Sequence, residues 1–101
     1  MHYIYVIKSK RKNWIYIGFT SDLKKRFYEH NKGKARVTEA YKPFTLVYYE
    51  AYLSKKDARV REIELKKKGQ QKEFLKERIK NSLKIVGSQP SAGQPKVETV
   101  G

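Results

Sequence analysis

The sequence predicts an α+β fold in which helices flank a three-stranded antiparallel sheet, in the order β-β-α-β-α-α. Two runs of aromatic and β-branched residues, 2–7 and 14–19, are separated by a short polar segment, which is typical of a β-hairpin. A third such run follows at 44–53, and helical patterns lie before and after it. A chain of 101 residues is long enough for one domain of this kind.

The predicted hairpin is apolar on both of its faces. Because side chains alternate along a strand, Tyr3 and Tyr5 share one face while Ile4 and Val6 lie on the other. The second strand repeats this pattern, so we expect the hairpin to be covered on both sides.

A first helix is predicted to begin at the capping segment Thr20-Ser21-Asp22 and to reach about His30 or Asn31, with Leu23 and Phe27 forming its apolar stripe. Asn31-Lys32-Gly33 provides a stop, and residues 34–43 read as a basic loop.

The third strand, at 44–53, precedes two further helices. Strict alternation along it predicts two faces, with Leu46, Tyr48 and Glu50 on one and Val47, Tyr49 and Ala51 on the other. Ser54 and Asp57 resemble a capping box for the second helix, which Gly69 would end. Apolar residues between 74 and 83 indicate one last helix.

The organisation predicted is one domain over residues 1–84 and a flexible tail over residues 85–101, which is rich in Gly, Pro and Ser. The chain has no cysteine, which excludes a disulfide scaffold and a Cys-ligated zinc finger. Its sequence lacks a membrane-span pattern and a signal-peptide pattern. We therefore expect a cytoplasmic protein, with association with the bacterial nucleoid as an alternative.

The charge favours a polyanionic partner. The chain has 24 Lys+Arg and 10 Asp+Glu residues, a formal net charge of +14, and residues 85–101 contribute nothing to it. A field of this size favours phosphates, because their condensed counterions are released on binding. An anionic membrane surface is a weaker alternative, since no segment pairs a basic face with a long apolar face. Nucleic acid is the expected partner, with DNA favoured over RNA.

Five side chains form a candidate site, if the fold brings them together. Tyr5 and Tyr16 lie on neighbouring predicted strands, and Arg26 and His30 are one helical turn apart. Glu62 lies on the second helix. These residue types supply a phosphate clamp, polar donors or acceptors, and one ligand for a hard metal ion.

Each of these residues also has a structural interpretation, which taken alone is favoured. The tyrosines could simply pack, and Arg26 could be solvated. His30 could favour the helix dipole, and Glu62 could pair with Lys66 at i,i+4, which contributes about 0.3–0.5 kcal/mol. Gly18 could permit a bulge.

Taken together, the residues resemble the GIY-YIG nuclease superfamily, and in particular its small stand-alone bacterial members. Tyr3-Ile4-Tyr5 and Tyr16-Ile17-Gly18 match the paired motif, although Tyr3 stands where the family name has glycine. The resemblance covers roughly residues 2 to 80 and continues through Thr20, Leu23, Arg26, His30, Gly33, Thr38, Pro43, Leu46-Val47-Tyr48, Glu50, Ala58, Arg61-Glu62 and Leu65-Lys66. A late asparagine of the family has Asn81 as its one candidate here.

The resemblance implies an endonuclease that hydrolyses phosphodiester bonds in DNA with one Mg²⁺, for which Mn²⁺ can substitute. Glu62 would be the metal ligand and Arg26 would hold the scissile phosphate. Tyr5 and Tyr16 would line the site, one of them helping to activate water, with Arg26 and the metal lowering its pKa. His30 matches an active-site histidine of the family.

Substrate contacts are expected from Gly18, where the missing side chain would let substrate approach, and from the basic residues Lys25, Lys34, Arg36 and Lys66. The enzyme would be structure-selective or weakly sequence-specific, with DNA repair or recombination as its context. Specificity would come from the basic loop or from a protein partner. The alternative is a non-catalytic basic module that binds DNA or structured RNA.

Overall fold

The fold is a mainly antiparallel sheet of four strands that separates two layers of helices. The computed structural model describes residues 1–86 and, for residues 96–98, the backbone. The elements are β1 (His2–Ser9), β2 (Trp14–Thr20), α1 (Leu23–Asn31), a short 3₁₀ helix (Glu39–Tyr41), β3 (Phe44–Tyr52), α2 (Lys55–Lys67), α3 (Gly69–Arg78), α4 (Lys80–Ile85) and β4 (Lys96–Glu98). The predicted α+β class and its three-stranded antiparallel sheet, β2-β1-β3, are confirmed.

Strand β1 lies in the centre and pairs antiparallel with both β2 and β3. Tyr5 lies opposite Gly18 on β2 and opposite Tyr49 on β3. A register shift between Val6 and Ile7 leaves Val47 as an extra residue on β3. Because a bulge interrupts alternation, Val47 packs on the same side of the sheet as Tyr48, and the strict alternation predicted for this strand is wrong.

The two faces of the sheet bury two separate cores. One face packs Ile4, Val6, Ile15 and Ile17 against α2, α3 and α4 through Leu65, Leu75, Ile79 and Leu83. The other face packs Tyr5, Ile7, Trp14, Tyr16 and Phe44 beneath α1, through Leu23 and Phe27. The two cores explain why the hairpin is apolar on both of its faces. The face beneath α1 carries the candidate site.

Side-chain caps start two of the helices as predicted. An Asp22 carboxylate oxygen accepts from the Lys25 backbone N–H at 3.1 Å, and Ser54 Oγ accepts from that of Asp57 at 3.3 Å. The last helical stretch differs from prediction, because it divides at Ile79, whose φ of −108° and ψ of 18° depart from helical values. Gly69 is the first residue of α3 rather than a stop for α2.

Part of the predicted tail forms a strand. Residues 96–98, as β4, run parallel to the outer edge of β2, alongside Trp14 to Tyr16, an arrangement that the sequence did not indicate. Residues 87–95 and 99–101 of that tail lie outside the described residues. Among the residues described, no helix has the length and apolar character needed to cross a membrane.

Candidate active site

Tyr5 and Tyr16 form the floor of the candidate site beneath α1. Their ring centroids are 6.4 Å apart, and both residues are at least nine-tenths buried. Gly18 lies opposite Tyr5 in the ladder, and a Cβ added there would be 2.9 Å from Tyr5 Cε1 and closer still to the hydroxyl oxygen. The missing side chain thus makes room for the Tyr5 ring. Substrate approach at Gly18 stays a prediction.

A buried chain of hydrogen bonds connects Tyr5 to the loop after α1. The Tyr5 hydroxyl and His30 Nε2 are 2.7 Å apart, and His30 Nδ1 is 2.7 Å from Thr38 Oγ1. Because the Thr38 hydroxyl donates to the Ala35 carbonyl at 3.3 Å, it accepts from a protonated Nδ1. Nε2 is then the acceptor, and Tyr5 donates its proton to His30.

The end of α1 brings Thr38 back to His30. Gly33 adopts a φ of 76°, a left-handed conformation that glycine tolerates and that reverses the chain after the helix. Ala35 and Thr38 are consequently buried against the helix, although they belong to a segment that reads as a basic loop. Thr38 is part of the site, and its place in the family pattern was the one signal in the sequence.

Burial is the main influence on the pKa of both tyrosines. Burial and the neighbouring Tyr16 raise the pKa of Tyr5 well above its ordinary value, while Arg26 acts to lower it. Burial likewise raises the pKa of Tyr16; Arg26 opposes this and the Glu62 carboxylate adds to it. Arg26 therefore acts in the direction expected from the family resemblance, but its effect is outweighed, and both hydroxyls are protonated near neutral pH.

His30 is neutral in the folded protein. Burial is the main cause that lowers its pKa to about 4, Arg26 adds to the effect, and Glu29 opposes it. A neutral ring can accept the Tyr5 proton at Nε2 while donating from Nδ1.

Arg26 lies at the entrance to this buried chain. Its guanidinium donates to Glu29 at 3.1 Å and its side chain is 36% exposed. It is also close enough to Tyr5, Tyr16 and His30 to change the pKa of each. An arginine held in this way next to tyrosine hydroxyls is suited to bind a phosphate from solvent.

Glu62 reaches the same region from α2. It is 8% exposed, and its charge acts on both tyrosines. Oε1 accepts from Arg59 Nη1 at 2.9 Å and Oε2 is 3.0 Å from Lys66 Nζ, so the pair with Lys66 does form. Among the described residues, no group of three or more His, Cys, Asp or Glu could hold a metal ion. One carboxylate still fits Mg²⁺, which keeps several waters and shares substrate phosphates.

The four basic residues expected to contact substrate differ in exposure. Lys66 is mostly buried, 5.8 Å from the centre of the Tyr16 ring, beside the site. Lys25, Lys34 and Arg36 are exposed on α1 and the loop after it, and Lys34 lies 5.9 Å from the Tyr28 ring.

A second polar cluster holds α2 on the sheet. Arg61 donates from Nε and Nη2 to the two carboxylate oxygens of Glu50 on β3, at 3.0 and 3.2 Å. The hydroxyls of Tyr48 and Tyr52 donate to the same carboxylate. This clamp lies one residue before Glu62, so it orients the part of α2 that carries Glu62. The sequence pattern includes Glu50 and Arg61 but gave no role to either.

Comparison with known proteins finds a matching family model and several similar proteins. Residues 1–77 match the family model described as the GIY-YIG catalytic domain. The UPF0213 protein YazA of Bacillus subtilis is 38% identical over 87 residues, covering 84% of this chain and 87% of the relative. A UPF0213 protein of Staphylococcus saprophyticus is 40% identical over 74 residues, covering 72% and 89%. No solved structure matches the chain.

Proposed function

Since the chain belongs to the GIY-YIG family, a nuclease family, we propose that it is a metal-dependent endonuclease that hydrolyses phosphodiester bonds in DNA. The observation that carries the proposal is the convergence of Tyr5, Tyr16, Arg26 and Glu62, in which the arginine and the carboxylate both act on the pKa of each tyrosine. Such grouping of perturbed residues is characteristic of functional sites.

Arg26 binds the scissile phosphate. Its planar guanidinium can donate two parallel hydrogen bonds to phosphate oxygens, and it is partly exposed while its neighbours are buried. Its positive charge would also stabilise the negative charge that grows on the phosphate during attack.

Tyr5 and His30 together accept a proton from the attacking water. A free tyrosinate is disfavoured because burial raises the pKa of Tyr5. The hydroxyl proton of Tyr5 already points at His30 Nε2, 2.7 Å away, so it can move to His30 as the tyrosine oxygen accepts the proton of water. Thr38 holds the imidazole in the tautomer that this transfer requires.

Glu62 would hold the Mg²⁺ ion, for which Mn²⁺ could substitute. Each carboxylate oxygen now accepts from one cationic side chain and retains acceptor capacity. When bound, the ion would neutralise charge on the phosphate and assist ionisation of a water.

Substrate choice would depend on the surface around this site. Lys25, Lys34, Arg36 and Lys66 would contact the backbone of the nucleic acid, which carries no sequence information by itself. The enzyme is therefore expected to be structure-selective or weakly sequence-specific, acting in the cytoplasm in DNA repair or recombination, with a protein partner as a source of further specificity.

A non-catalytic nucleic-acid-binding module is the second candidate, favoured by the net charge of +14 alone. Such a module would bind DNA or structured RNA without cutting it. Its affinity would fall with salt by a log–log slope of about −0.9 per phosphate contact on duplex DNA.

A cleavage assay separates the two candidates. Labelled duplex, single-stranded, flap, fork and bulged DNA, and structured RNA, are incubated with the protein in Mg²⁺, in Mn²⁺ and in EDTA. The endonuclease cuts at least one DNA form with metal and none in EDTA. Binding without cutting on every substrate would support the binding module and overturn the nuclease.

A further inference from the structure

The carboxylate of Glu62 is already neutralised by two side chains of its own helix. Arg59 precedes it by three residues and Lys66 follows it by four, at 2.9 and 3.0 Å from separate oxygens. One negative charge between two positive ones leaves this position with a net positive charge.

Aromatic rings of β2 lie beneath both cations. The Arg59 guanidinium carbon lies 3.9 Å from the centre of the Phe19 ring, and Lys66 Nζ lies 5.8 Å from that of Tyr16. These contacts help to hold the two cations near the sheet. Lys66 is mostly buried, with 15% of its side chain exposed, whereas the Arg59 side chain is 51% exposed.

We propose that Arg59 and Lys66 occupy the place of the divalent cation on Glu62 in the free protein and leave it when nucleic acid binds. This inference rests on the proposed function. On exchange, Glu62 would hold the metal ion and Lys66 would turn to a phosphate of the substrate.

Electrostatics gives the exchange its direction. A divalent ion entering the free site meets two positive side chains within about 3 Å of its ligand oxygens, and their repulsion weakens its binding. A bound nucleic acid supplies phosphates to which these side chains can turn, so the repulsion falls. Metal ion and nucleic acid therefore bind cooperatively, and by linkage each raises the affinity for the other by the same factor.

The alternative is that the two pairs only support the helix. Each Glu62 oxygen has its own cation, so Lys66→Met keeps the pair with Arg59, and the melting temperature of the variant reports the structural contribution of the Lys66 pair under either view. Metal affinity distinguishes the two interpretations. If the pairs only support the helix, removing Lys66 should change the metal affinity no more than removing another nearby positive charge does.

The test is Mn²⁺ binding to the full chain, measured from the signal of free Mn²⁺ by electron paramagnetic resonance, without nucleic acid and then with a phosphorothioate duplex that resists cleavage. Lys66→Met removes one of the two cations from Glu62 and leaves Arg59 in place. Lys67→Met is the matched control, since it removes the same charge from the exposed next residue of the helix. Glu62→Gln removes the ligand, and circular dichroism verifies the fold of every variant.

Lys66→Met is expected to bind Mn²⁺ at least about fivefold more tightly than wild type without nucleic acid, within the usual range of coupling between sites. Lys67→Met should change affinity by much less. The duplex should tighten Mn²⁺ binding strongly in wild type and weakly in Lys66→Met.

Two results would overturn the exchange. Equal Mn²⁺ affinity in the Lys66→Met and Lys67→Met proteins would overturn the exchange. The nuclease proposal would still stand if Glu62→Gln abolishes Mn²⁺ binding. Unchanged Mn²⁺ binding by Glu62→Gln would contradict Glu62 as the metal ligand and so would remove the basis of both proposals.

Discussion

Gly18 shows how one missing side chain shapes the candidate site. The glycine is explained by contact across the ladder, because the Tyr5 ring occupies the space of its absent Cβ. From the sequence alone, Gly18 could be interpreted as permitting a bulge or as leaving a path for substrate. Neither periodicity nor spacing reveals which ring lies over a given residue. The structure identifies Tyr5 as that ring.

Gly18→Ala should therefore disturb Tyr5 specifically. The added methyl group forces the ring to move, which breaks its hydrogen bond with His30 and costs about 1–3 kcal/mol of unfolding free energy. Urea denaturation and the cleavage rate measure the two effects. Gly69→Ala is the control, because no atom lies within 4 Å of its added Cβ and both quantities should stay close to wild type.

His30 should make stability depend on pH. Its pKa is about 4 in the folded protein and about 6.5 in an unfolded chain, so between these values the unfolded state binds more protons. Stability should fall as pH is lowered from about 6.5 to about 4, by about 2–3 kcal/mol, and this contribution should level off below that range.

The substitution His30→Gln separates the contribution of His30 to the pH dependence of stability from that of the carboxylates. The difference in unfolding free energy between wild type and variant should narrow as pH falls from 7 to 4. A difference that stays constant over this range, in urea titrations at each pH, would show that His30 is not buried in its neutral form.

At the level of elements, β3 and α2 are joined by the Glu50–Arg61 clamp. Burial alone would raise the pKa of Glu50, but the hydrogen bonds from Arg61, Tyr52 and Tyr48 outweigh it and lower the pKa below its ordinary value. The carboxylate is thus ionised and fully bonded at neutral pH, and it fixes the orientation of the helix that carries Glu62.

Arg61→Lys should weaken this clamp. A lysine cannot reproduce the two parallel hydrogen bonds to Glu50, so we expect a loss of about 1–2 kcal/mol in unfolding free energy and slower cleavage. Arg36→Lys, on the exposed loop, is the control for chemical denaturation. Equal stability of the two variants would show that the clamp contributes little.

The presence of the main strands and helices could be predicted from the sequence far better than the irregularities within them. The apolar runs and the caps at Asp22 and Ser54 are local signals, and they predicted β1, β2, β3 and the starts of α1 and α2 correctly. The extra residue at Val47 and the break at Ile79 depend on partners distant in sequence, so local alternation and periodicity could not reveal them.

At the scale of the whole molecule, both cores, as far as side chains are described, lie within residues 1–84. Leu83 is the last residue of the larger core, and Ile85 is 86% exposed. All of the net charge also lies in residues 1–84, so we expect both independent folding and attraction to a polyanion from that part of the chain.

A chain that ends after Lys84 should therefore fold and act as the full chain does. Of the described structure, this truncation removes residues 85–86 and the three-residue edge strand β4, so the free energy of unfolding should change by less than about 1 kcal/mol. Thermal unfolding of the two proteins measures this. A substantially lower melting temperature in the short chain would show that the tail is part of the domain.

The candidate site could be predicted residue by residue from the family resemblance, whereas its internal connections could not. The sequence pointed to Tyr5 and His30 separately, but the proton donated between them and the role of Thr38 depend on distances. Burial of Tyr5, which decides its protonation, is likewise a property of the assembled molecule.

Cleavage by Glu62→Gln tests the proposed active site most directly, with Glu64→Gln on the same helix as the matched control. The Glu64 side chain is 38% exposed and pairs with Arg61 at 3.5 Å. We expect Glu62→Gln to cut the preferred DNA substrate at least about a hundredfold more slowly in Mg²⁺, while Glu64→Gln cuts nearly as wild type does. Wild-type cleavage by purified Glu62→Gln protein would contradict the proposed active site.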